Sequence, residues 1–174
     1  MTAQRQETNG SRSEMEFRPG MAFILLLASL GSQAFPQLPA RAATTERVVV
    51  NRYSGVAIEG FDPVAYFVDA RPLVGRPEFE ASDAGAVWRF RNEGNRASFV
   101  AHPDIYGPQF GGYDPIDLAR GVTLAGSPRF WLISEQRLYL FGREDNRDAF
   151  AAAPARFLQQ AKLRWPALEQ DLAQ

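Results

Sequence analysis

The chain has 174 residues, 45% of them apolar, 22% charged and 12% aromatic, a balance that suits one modest globular domain with a real core and excludes bulk disorder. A formal charge of −1 gives no electrostatic reason to expect nucleic acid or an anionic membrane surface as a partner. With no cysteine and one histidine, a disulfide, a thiolate metal site and a cysteine nucleophile are all excluded.

Residues 21–30, MAFILLLASL, form a continuous apolar run preceded by Arg18 and followed by the small-x-small pattern Ala40-Arg41-Ala42. This is the pattern of a secretory signal peptide spanning 1–42, cleaved after Ala42 to leave 43–174 as the mature domain. An uncleaved anchor is the competing reading, although ten apolar residues are short for a membrane span. Glu14 and Glu16 offset Arg12 and Arg18, and a start at Met15 in place of Met1 gives a more ordinary leader. The expected location is periplasmic or secreted, with membrane association only through a retained leader.

The run VVV within 47–51 reads as a first strand, with NRYSG as its exit. In GFDPVAYF, residues 60–67, the Asp-Pro step suits a helix start with Asp62 as cap and Pro63 at the first helical position. Val64, Ala65, Tyr66 and Phe67 then enter the core; a catalytic role for Asp62 is the sharper alternative. Residues 71–76 form a loop, Phe79 restarts a strand pattern, and 83–85 turn into Trp88.

Residues 87–106, VWRFRNEGNRASFVAHPDIY, return at 138–157 as LYLFGREDNRDAFAAAPARF, with seven identities in twenty positions and no gap. A repeat of this kind marks a duplicated supersecondary unit. Each copy reads as a strand, with Trp88 and Phe90 or Tyr139 and Phe141 at period two, then a polar turn and a helix. Asn92 or Asp145 is the candidate N-cap, Glu93 or Glu144 sits at the positive helix start, and Pro103 or Pro154 ends the helix. Arg96 and Arg147 read as partners of those acidic first turns, with ligand contact as the alternative. The bridge between copies, 106–129, is rich in glycine and proline. Gly111 and Gly112 permit close backbone approach there, so a pocket beside Tyr113, Asp114 and Asp117 competes with a simple turn and cap at Asp114-Pro115. Residues 131–133 and 137–141 form a hairpin, and 155–172 a helical tail broken at Pro166, with Leu158, Leu163, Trp165 and Leu168 available for packing.

GFDPVAYF, GRPEF at 75–79, the strand WRF, the NR-x-x-F helix ending at Pro103 and YGPQFGGY at 106–113, in this order, resemble exported proteins carrying a YHS domain. The resemblance runs over about 55–165. Metal-binding relatives place cysteines just after the second strand aromatic and four residues on; here those positions are Arg91 and Asn95, and Gly142 and Asn146 in the second copy. Exported members often carry a cysteine after Gly-Gly-Tyr, where this chain has Asp114. Soft metals need clustered Cys, Met or His donors, so the resemblance implies a member without the thiolate site. His102, beside Pro103, reads as a solvated helix-end residue before it reads as a ligand.

No GxSxG, HExxH, P-loop or dinucleotide fingerprint is present. The expected fold is α+β, a single domain of two related strand-turn-helix units packed around short antiparallel strands. The expected function is that of an exported non-catalytic binding or accessory protein with a protein or small-molecule partner and no cofactor. A periplasmic metal handler using carboxylate and His donors, or an enzyme with a carboxylate-lined pocket at 111–117, is the alternative. Candidate ligand-binding residues are Asp62, Tyr66, Tyr113, Asp114 and Asp117.

Overall fold

A computed structural model describes residues 46–172; the leader and its cleavage site lie outside them. The fold is α+β, built from two antiparallel hairpins and their flanking helices. In the first copy a left-handed turn at Ile58–Gly60 leads to α1 (Ala65–Val68), β1 (Arg76–Asp83), β2 (Ala86–Phe90), α2 (Glu93–Ala101) and α3 (Pro103–Tyr106). The second copy repeats that order: a turn at Gln109–Gly112, α4 (Pro115–Ala119), β3 (Ser127–Ser134), β4 (Arg137–Phe141), α5 (Glu144–Ala152) and α6 (Pro154–Leu172).

The structural repeat is therefore longer than the two twenty-residue segments. Gly60-Phe61-Asp62-Pro63 corresponds to Gly112-Tyr113-Asp114-Pro115, 52 residues on, and both segments follow positive-φ residues. Even irregular features recur. Val56 bridges Val87 as Pro108 bridges Leu138, and Phe61 bridges Val74 as Tyr113 bridges Ala125. Each hairpin slips register near its outer end, between Arg76 and Glu80 and between Ser127 and Trp131. Gly75 and Gly126 allow the crossing there, since a Cβ on Gly75 would lie 2.5 Å from the Arg89 backbone and one on Gly126 2.7 Å from that of Leu140.

Both helices α2 and α5 stop just before their prolines, and each proline opens the next helix, where its missing N–H costs nothing. Three local expectations need correction. The valine run forms no strand; it is pinned by single bonds, the Val49 N–H donating to Gly111 and the Val49 carbonyl accepting from Ile58. Val48 joins one core cluster and Val49 packs on another, so the run is shared between surfaces, and its pairing stops at a single antiparallel bridge from Val50 to Ala57. Asp145 does not cap α5: Arg143 stands at the N-cap, has no acceptor to offer, and leaves Asp145 in the first turn. By contrast Asn92 caps α2, its side chain accepting from the Asn95 N–H at 2.8 Å. Finally, α6 continues through Pro166. Trp165 and Leu168, on either side of the proline, both pack against the Tyr113–Leu118–Ala161 cluster, and this anchoring outweighs the one hydrogen bond a proline removes.

The largest core cluster joins Tyr66, Trp88, Phe90 and Phe99 of the first copy to Leu138 and Leu140 of the second. A second gathers Ile116, Tyr139, Phe141, Phe150 and Leu158. The aromatic geometry is duplicated too: Phe90 and Phe99 lie 5.2 Å apart between centroids, as do Phe141 and Phe150.

Candidate functional site

Asp62 and Asp114, the two Asp-Pro residues, are both 0% exposed. In each, one carboxylate oxygen closes the local turn. Asp62 Oδ1 accepts from the Val64 and Ala65 N–H groups at 2.9 and 3.3 Å, and Asp114 Oδ1 accepts from Ile116 N–H at 2.8 Å. The other oxygen reaches the strand-to-helix junction of the same copy. Asp62 Oδ2 accepts from the Arg91 N–H at 2.8 Å and the Asn95 side-chain amide at 2.6 Å. Asp114 Oδ2 accepts from the Gly142 N–H at 2.8 Å and the Asn146 amide at 2.6 Å. A buried carboxylate with this many donors is satisfied where it stands.

The second copy adds Asp117, 4% exposed, at the position that Ala65 holds in the first. Asp117 accepts from Arg120 at 3.0 Å and from Asn146 at 3.2 Å, and Arg143 lies 3.7 Å away. Two carboxylates are thus brought together around one asparagine amide, with two guanidinium groups at the surface side. Tyr66 is buried and its hydroxyl donates to the Pro128 carbonyl at 2.9 Å, stitching the first copy to β3 of the second. Tyr113 donates to the Glu46 carbonyl at 2.6 Å. Burial pushes both phenols above the ordinary tyrosine value, so each is a neutral donor at physiological pH.

The five candidates therefore lie in two places. Asp62 and Tyr66 belong to the first copy's turn and core; Tyr113, Asp114 and Asp117 belong to the second copy's, and none lines the cleft described next. Asn95 and Asn146 are the residues that pattern reading missed as partners, because each meets its aspartate across 33 or 32 residues. A signal did exist: GFDPV and GYDPI form a second repeated motif, hidden from the gapless comparison by one extra residue between Asp62 and Gly75. Arg96 and Arg147 form the anticipated pairs, with Glu93 at 2.7 Å and Glu144 at 2.8 Å. Exposed His102 caps the C-terminal end of α2.

A cleft of about 430 Å³ opens elsewhere, between the first copy's aromatic pair and α6. Trp88 and Phe99 form its floor, Phe110 and Trp165 flank it, and Asp83, Asp104, Glu169 and Arg47 stand around it. The Trp88 indole donates to the Asp83 carbonyl at 3.2 Å, which fixes the floor relative to the β1–β2 turn. Asp104 pairs with Arg137 at 3.8 Å. Asp83 and Glu169 form no ion pair among the described residues. Its volume is within the range of small-molecule sites.

Arg91, Asn95, Gly142 and Asn146 all fall at the two aspartate clasps. Arg91 and Gly142 contribute backbone N–H groups there, and Asn95 and Asn146 contribute amides that already donate to the aspartates. This donor set does not fit a soft metal ion. In comparisons of the chain with known proteins, no family model, no curated protein and no solved structure matches it.

Proposed function

We propose that the protein is an exported, non-catalytic binding or accessory protein, similar to YHS-domain proteins, in which the thiolate metal site has been replaced by internal hydrogen bonding. The observation that carries this reading is the equivalence of the two clasps. Asp62 with Asn95, and Asp114 with Asn146, use the relatives' ligand positions to tie the Asp-Pro turn to the hairpin's exit. For either aspartate to act as general base or hard-cation ligand, it would have to give up backbone donors, Val64 and Arg91 or Ile116 and Gly142, that bond its carboxylate. The leader, with its apolar run at 21–30 and Ala40-Arg41-Ala42, supports export.

The test is elemental mass spectrometry on protein purified without a metal-binding tag, followed by titration with zinc and copper. The expected outcome is folded protein with far less than one ion per chain after dialysis. One ion per chain surviving dialysis would overturn the reading and point to Asp114, Asp117 and His102 as the first donors to replace.

A further inference from the structure

The two hairpins share one register but not one kind of outer face. In the second, Trp131 pairs with Leu140 and Ile133 with Leu138, which puts four apolar residues on one face. The turn and helix of the first copy cover it: Ile58, Val64 and Tyr66 join Leu138 and Leu140 in one core cluster, and the Tyr66 ring meets Trp131 edge-on at 5.2 Å. The corresponding pairs of the first hairpin, 51 residues earlier, are Glu80 with Arg89 and Ser82 with Val87. Glu80 and Ser82 are exposed, and Glu80 and Arg89 form an ion pair at 2.8 Å. The turn and helix of the second copy receive no hairpin. Phe110 and Leu118, at the places of Ile58 and Tyr66, pack against α6 instead, and Phe110 repeats even the positive φ of Ile58. Where α3 ends after four residues, α6 runs for nineteen. Along it Ala161, Trp165, Leu168 and Leu172 recur at helical spacing and all pack in the Tyr113–Leu118 cluster. Trp165 meets Phe110 at an interplanar angle of 71°, as Trp131 meets Tyr66 at 68°. On the second copy, α6 thus covers the surface that on the first copy is covered by a hairpin.

We propose that the second copy's face around Phe110, Tyr113 and Leu118 is a docking surface for a β-hairpin, that its ligand is a hairpin with an aromatic–aliphatic cross-strand pair on an apolar face, as in Trp131 with Leu140, and that α6 is the lid that closes it. Stacked repeats bury their faces on one another and need a different element at each end. The intact chain does not offer such a hairpin to a second copy of itself, because Glu80 and Arg89 would have to leave water for an apolar surface. The ion pair at one end and α6 at the other therefore keep the chain from stacking head to tail on further copies. This inference goes beyond the binding role proposed above and uses neither metal content nor export.

The test uses two variants of the mature chain, with particle mass followed by size-exclusion chromatography and light scattering at submillimolar concentration. The donor, Glu80→Trp/Arg89→Leu, gives the first hairpin the cross-strand pair that the second already holds in the same register. The acceptor, Trp165→Ala/Leu168→Ala, removes two anchors of α6 and keeps Leu158 and Ala161. Cooperative melting establishes that each variant folds, and Trp165→Ala alone is the milder acceptor if the pair does not. Donor and acceptor by themselves, and donor mixed with unaltered protein, are each expected at the mass of one chain. Donor mixed with acceptor is expected to double that mass. A mixture of donor and acceptor that stays at one chain would overturn the proposal. So would a donor that associates as strongly with itself or with unaltered protein, because the surface it finds would then not be the one under α6. A stoichiometric metal ion would refute the function proposed above and leave all of these masses unchanged.

Discussion

Asp62 and Asn95 make the sharpest case at the scale of single residues. Asp62 itself is fully enclosed, and replacing its carboxylate by an amide turns an N–H donor toward backbone N–H groups, of Arg91 on one side or Val64 on the other, that cannot rotate away. Asp62→Asn is therefore expected to lower stability by about 3 kcal/mol, and Asp114→Asn by a similar amount, measured by urea unfolding. The contrasting site is Arg96, whose pairing with Glu93 is at the surface; Arg96→Ala should cost no more than about 0.5 kcal/mol. Equal losses at the two kinds of site would refute the assignment of the aspartates as the fold's buried clasps. The aspartates were legible as caps from the following proline alone. Their second partners were not, because a side-chain amide 33 residues away leaves no periodicity in the chain.

At the scale of elements, each hairpin closes on two residues with positive φ. These are Ala84 and Gly85 at 50° and 78°, and Glu135 and Gln136 at 50° and 58°. Such turns match the right-handed twist of the strands they join, but only glycine and asparagine enter the left-handed region at little cost. The first turn has a glycine in its second place and the second turn does not. Gln136→Gly is expected to raise stability by about 0.5 to 1 kcal/mol, read as a shift of the denaturant midpoint at constant slope. A loss of stability on that change would mean that the Gln136 side chain holds contacts stronger than the backbone strain it imposes. Hairpin position was readable from alternating aromatics. Continuation of α6 through Pro166 was not, since proline's local rule yields to the packing of Trp165 and Leu168 on both sides of it.

At the scale of the whole molecule, the two copies are similar but not independent. Leu138 and Leu140 complete the aromatic core of the first copy, and Tyr66 bonds Pro128 and packs edge-on against Trp131 at 5.2 Å. A fragment ending at Gly107 loses these partners and leaves Trp88, Phe90 and Phe99 uncovered. Fragments of about sixty residues are marginal even with an intact core. Residues 46–107 and 108–172 made separately should each lack dispersed amide resonances, and mixing them should restore dispersion; a fragment that folds alone would show that each copy has a self-sufficient core.

Local pattern alone pointed to the α+β class, the hairpins, the helices ending before Pro103 and Pro154 and the recurrence of one segment, because each is a matter of period, turn chemistry or identity between aligned residues. The same pattern named Asp62 and Asp114 without saying what they meet. Tertiary structure decided that both accept hydrogen bonds from the amides of Asn95 and Asn146, that the valine run is divided between two surfaces, and that the cleft takes in Gly111 of the 111–117 loop but not Tyr113, Asp114 or Asp117. Those outcomes depend on which side chains fill the same space, a property of residues far apart in the chain that becomes definite only when the two copies are packed together.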